Sequence, residues 1–77
     1  MPKPTPKREI VVQPGPGGLK WLDIFVATAD QRGWVEQEAA QFGQLIASEI
    51  TWGTFVLFVN PLYDFEEVRA YIERGGE

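Results

Sequence analysis

Asp30, Asp64, Asn60 and Thr28 form the set of side chains in this chain that comes nearest to chemistry. Two carboxylates with an amide and a hydroxyl suit a hard cation such as magnesium. They would meet at one sheet edge if the strands preceding them ran parallel, the edge that ligands of α/β sheets favour. Each residue also has a plain structural use. Thr28 or Asp30, and Asp64, stand where helices need caps, and Asn60 precedes a proline turn. The structural use is the reading adopted, so no metal and no cofactor is expected.

Composition removes His and Cys chemistry, while catalysis by carboxylates stays possible in principle and ranks lowest. The chain has no His and no Cys. The commonest general bases and thiol nucleophiles are therefore missing. So are disulfides and any zinc site built on those ligands. Pro14-Gly15-Pro16-Gly17-Gly18 does not fit a phosphate cradle. A dinucleotide fingerprint would need glycine at position 20, which is Lys20, and a helix after it. Asn60-Pro61-Leu62-Tyr63 matches the NPxY peptide read by phosphotyrosine-binding-type domains. That mode needs a free peptide, and here the four residues join an apolar strand to a capped helix. Arg74-Gly75-Gly76 is a single RGG fragment and carries no weight. A non-enzyme is expected.

The elements that would hold any site are organised around Thr51 to Asn60, TWGTFVLFVN. This stretch is uncharged, too short for a helix, and closed by Asn60-Pro61, so it reads as a strand. Phe55, Leu57 and Val59 fall on one face. Thr54, Val56 and Phe58 fall on the other, with Trp52 at its start. Both faces are apolar and both need cover.

Taken in order, Met1 to Lys7 has proline at 2, 4 and 6 and reads as a disordered basic leader. Residues 8–77 read as a single small domain. Arg8 to Gln13 is a short strand, broken by PGPGG. Leu19 to Ala27 is a second strand, with Leu22, Ile24 and Val26 on one face and Trp21, Asp23, Phe25 and Ala27 on the other. Thr28 to Ile50 reads as the main helix. Thr28 and Gln31 fit a capping box, and Val35, Ala39, Phe42, Ile46 and Ile50 make an apolar stripe. Gly33 and Gly43 weigh against it at about 1 kcal/mol each, and Gly43 alternatively marks close approach to the sheet. Asp64 caps a second helix, Phe65 to Arg74, with Phe65, Val68 and Ile72 inward and Gly75 as its stop.

The expected fold is a small two-layer α+β domain in the order β-β-α-β-α. Its three-stranded mixed sheet packs on two helices, with an antiparallel hairpin first and a parallel right-handed crossover second. Leu22, Ile24, Val26, Phe55, Leu57 and Val59 should lie under the main helix. If both helices share that face, Trp21, Phe25, Trp52, Val56 and Phe58 are left as an interface.

Charge bears on the partner. Net charge is −4, split as +3 over residues 1–20 and −7 over residues 21–77. An acidic body repels phosphates, so binding to duplex DNA is disfavoured. No secretory signal is read at the start, because Met1 to Arg8 is followed by Glu9. The longest uncharged stretch, Ile50 to Tyr63, falls short of the roughly 20 residues of a membrane helix. A soluble cytoplasmic protein with no membrane partner is expected. Chains below about 80 residues often rely on disulfides, metals or self-association, and here self-association remains. The leading expectation is a non-enzymatic protein-interaction module, regulatory or inhibitor-like, homodimeric through the aromatic sheet face, with a further protein partner allowed. The alternative is a nucleic-acid-associated protein that uses the basic leader and stacks bases on its aromatics.

Overall fold

The computed structural model describes residues 10–18 and 20–75. The expectations for the leader, for the strand start at Arg8 and for Gly76 lie outside those residues. Strand β1 (Val11–Pro14) and β2 (Trp21–Phe25) form the expected antiparallel hairpin, joined through a 3-10 turn at Pro16–Gly18. Gly17 sits there at φ 69°, a backbone conformation that glycine adopts without a Cβ clash.

Helix α1 spans Ala29–Glu38. Its capping box is formed as expected. The Thr28 hydroxyl accepts from the Gln31 N–H, and the buried Gln31 Oε1 accepts from the N–H groups of Ala27 and Thr28, at 2.7 and 3.1 Å. The sequence-based helix was expected to run to Ile50, and here the structure corrects it. The chain turns through a 3-10 segment, Ala39–Phe42, and becomes strand β3, Gly43–Ala47. After a turn it returns as β4, Thr54–Val59, and ends in helix α2, Phe65–Glu73. The Asp64 carboxylate caps α2 by accepting from the N–H groups of Glu66 and Glu67 at 2.9 and 3.2 Å.

The extra strand changes the sheet. Instead of three mixed strands the described residues form four, all antiparallel to their neighbours, in the order β1-β2-β4-β3. The crossover from β2 through α1 leads to β3, not β4. Strands β2 and β3 run the same way, and β4 is slotted between them against both. The expected parallel pairing is thus displaced by one strand and never becomes a ladder.

Both helices lie on one side of the sheet. Val35 and Ala39 from the first helical segment, and Val68 and Ile72 from α2, join Val12, Leu22, Ile24, Val26, Phe55, Leu57 and Val59 in a single buried cluster. The six sheet residues expected under a helix are all there. Arg32 ties α1 to the β3–β4 turn: it donates to the Trp52 carbonyl, and its guanidinium lies 5.4 Å from the Trp52 ring and 5.0 Å from the Phe55 ring.

Candidate protein-interaction face

The pleat and the register fix what the second face of the sheet carries. Val11 pairs with Phe25, Phe25 with Thr54, Asp23 with Val56, and Trp21 with Phe58. On the far side Gln44 pairs with Phe58, and Ile46 with Val56. Cross-strand partners point to the same side, so these residues form one surface. No helix among the described residues crosses it. Phe25, Phe58, Ile46 and Val11 keep 37, 38, 45 and 48% of their surface exposed, whereas Phe55 and Leu57 on the opposite face keep none.

Four of the five expected interface residues meet here: Trp21, Phe25, Val56 and Phe58. The Trp21 and Phe58 rings meet edge to face with centroids 5.3 Å apart. Trp52 does not belong. It sits in the β3–β4 turn under the Arg32 guanidinium, on the helix side of the sheet. Strand alternation does not extend into a turn, which is why counting back from Thr54 misplaces it. Two members were missed. Val11 was read only as part of a short apolar strand, and Ile46 was assigned to a helix stripe.

The face is built firmly. The indole of Trp21 lies against Gly15, where any Cβ would overlap it. Its Nε1 is buried with no hydrogen-bond partner among the described residues. At the centre, flanked by Trp21 and Phe25 along β2, is Asp23, half-buried and the one charged side chain at these positions. Among the described residues the face offers stacking and apolar contact and carries an acid and no base, an arrangement that suits a protein surface better than a phosphate backbone.

The oxygen-donor set does not assemble. Thr28 and Asp30 follow the end of β2, and Asn60 and Asp64 follow the end of β4. These strands are antiparallel, so the pairs lie at opposite ends of the sheet. Among the described residues there is no cluster of three or more metal-ligating side chains. Asp64 serves as a cap. The NPLY segment is an exposed turn: Asn60 accepts from Tyr63 N–H through its carbonyl at 3.0 Å and from Leu62 N–H through Oδ1 at 2.8 Å. The residues before it form β4, paired on both sides, and have no free edge to add to another sheet.

A concavity of about 370 Å³ lies beside α2, lined by Phe42, Tyr63, Asp64, Glu67, Tyr71 and Arg74. The Tyr71 hydroxyl donates to Glu38 Oε1 at 3.3 Å. Burial, and then the nearby Glu38 carboxylate, hold its ionisation above the ordinary tyrosine value. A neutral phenol bonded to a carboxylate braces α2 against α1. It supplies neither a nucleophile nor a base near neutral pH. No helix among the described residues is long and apolar enough to cross a membrane. Comparison with protein-family models, curated proteins and solved structures finds no match for this chain.

Proposed function

We propose that this chain is a non-enzymatic protein-interaction module, regulatory or inhibitor-like, that pairs with a second copy through the open sheet face. The observation that carries the proposal is the one-sided fold. Both helices cover Leu22, Ile24, Phe55 and Leu57, while Trp21, Phe25, Val56 and Phe58 stand on the side over which the described residues place no layer. A protein this small rarely leaves such rings uncovered without use. The largest apolar patch on a soluble monomer is often its functional one, and aromatics are the residues that dominate interface energies. A twofold dimer requires a single self-complementary patch. Four strands about 4.8 Å apart and roughly 17 Å long give a footprint of roughly 320 Å². That is well below the about 800 Å² per partner of a standard interface, so the pairing is concentration-dependent.

The test is solution mass across a dilution series. The wild-type chain is expected to show a twofold mass at high concentration, and Phe58→Asp to shift the midpoint upward by at least about tenfold, because it places a carboxylate in the contact. Asp23→Asn is expected to do the opposite. Face-to-face pairing brings the two Asp23 carboxylates into one desolvating layer, so removing that charge should tighten association several-fold. A wild-type chain that stays monomeric at every concentration, with Asp23→Asn equally monomeric, would remove the homodimer.

A further inference from the structure

Edge strands are where sheets join, and the two edges of this one differ. In an antiparallel ladder, alternate residues turn their N–H and C=O groups toward the neighbour and the rest turn them outward. Gly15 N–H bonds to the Trp21 carbonyl. By alternation Gln13 and Val11 also face β2, and Val12 and Pro14 face out. Proline has no N–H to offer, and α2 packs across this strand. Edge β1 is therefore poorly equipped to pair.

Edge β3 carries none of the devices that block pairing. Asn60 N–H bonds to the Phe42 carbonyl, and Ser48 N–H to that of Thr54. Phe42, Gln44, Ile46 and Ser48 thus face β4, and the backbone groups of Leu45 and Ala47 face out, where no strand of the described residues pairs with them. Gly43–Ala47, GQLIA, has no charge, no proline and no bulge against β4. Every residue in it is exposed or half-buried. An uncharged, regular, uncovered edge is a template for another strand.

We infer that the outer edge of β3 is a second self-association site, at which two copies pair β3 to β3 antiparallel about a twofold axis. A second copy is the occupant for three reasons. Antiparallel pairing of one strand with itself is isologous, so one edge suffices and the assembly closes. Head-to-tail growth through β1 is hindered by Pro14 and α2. A chain of net charge −4 repels its twin over most of its surface, and GQLIA offers an uncharged place for contact. Such pairing keeps both open faces on one side of a continuous eight-stranded sheet, because the axis is perpendicular to it. Ile46, which belongs to the open face, then extends that face across the seam. A strand pairing of five residues falls short of a standard interface, so a dissociation constant on the order of 0.1–1 mM is expected.

This inference does not depend on the face-to-face dimer, and the experiment separates them. Sedimentation is measured up to millimolar concentration for wild type, Phe58→Asp, Ala47→Pro and the double variant. Ala47 N–H points outward, so proline there removes an edge donor and leaves the β4 ladder intact. Phe58→Asp alone is expected to keep a weak dimer, and the double variant to be monomeric throughout. Circular dichroism of Ala47→Pro should match wild type. Independently of any variant that loses its fold, amide exchange at Leu45 and Ala47 in Phe58→Asp should slow at least about tenfold between micromolar and millimolar protein. If Phe58→Asp is monomeric at every concentration and those amides exchange at one rate, the edge site is refuted while the face reading stands. If Phe58→Asp changes nothing and Ala47→Pro abolishes the dimer, the edge site stands and the face reading fails.

Discussion

Replacing Gly43 by alanine is expected to destabilise the fold by about 2–4 kcal/mol, and replacing Gly33 by alanine to stabilise it by about 0.5–1 kcal/mol. The two glycines look alike in the sequence, ten positions apart in what reads as one helix. In the structure they do different work. Gly33 is exposed within α1, and a Cβ there meets nothing within 4 Å. Alanine keeps the helix and reduces the freedom of the unfolded chain. Gly43 opens β3 directly against β4. A Cβ on it would overlap the Phe58 carbonyl oxygen and press on the Asn60 nitrogen, which are backbone atoms on the central strand. They cannot swing aside as a side chain does. The strain has nothing to do with a left-handed dihedral, since the Gly43 backbone is extended. Urea unfolding of the two variants checks the pair. A Gly43→Ala protein within 0.5 kcal/mol of wild type would mean that β3 does not lie where it is placed here. A domain of this size has roughly 4–12 kcal/mol of stability in total, so the expected loss is a large share of it.

The same residue shows where the sequence stops being legible. Phe42, Ile46 and Ile50 recur every four residues, and that spacing satisfies two periods at once. Residues four apart share a helix face, and they also share a strand face because four is even. The stripe was real, but it could not distinguish the two. Val35 and Ala39 belong to the helical part and are buried under it. Ile46 belongs to a strand and points to the open face. Gly43 marked the boundary, and its alternative meaning, close approach to the sheet, is the one the structure has. Once β3 is missing from the reading, parallel pairing of β2 with β4 follows and so does the shared edge for Asp30 and Asp64. Signals that rest on a single chemical need survived. Thr28 with Gln31, and Asp64 with the N–H groups after it, cap helices as their types require. The alternation in LKWLDIFVA and TWGTFVLFVN sorted core from open face at every position inside β2 and β4. It failed only at Trp52, where the strand has not yet begun.

Phe55→Ala is expected to cost about 3–5 kcal/mol, enough to unfold much of the population at moderate temperature, while Phe58→Ala, three residues along the same strand, should cost under about 1 kcal/mol in the monomer. Phe55 has no exposed surface, sits opposite Ile24 and Ala47, and is the largest side chain in the core. Removing its ring leaves a cavity that flanking β2 and β3 cannot fill, because both are fixed to β4 by backbone bonds. It also takes away the ring facing the Arg32 guanidinium, which holds the β3–β4 turn to α1. Phe58 has 38% of its surface in solvent and packs its ring edge to face with Trp21. Truncating it opens no internal cavity. Its effect should appear instead in association, as a rise in the dimer midpoint with little change in unfolding of dilute protein. Strand β4 thereby separates two jobs between its faces, stability toward the helices and the proposed recognition away from them. Unfolding and mass measured on both variants check that division. Equal losses of stability from Phe55→Ala and Phe58→Ala in dilute protein would mean that the second face is as buried as the first, and the case for a partner on it would go.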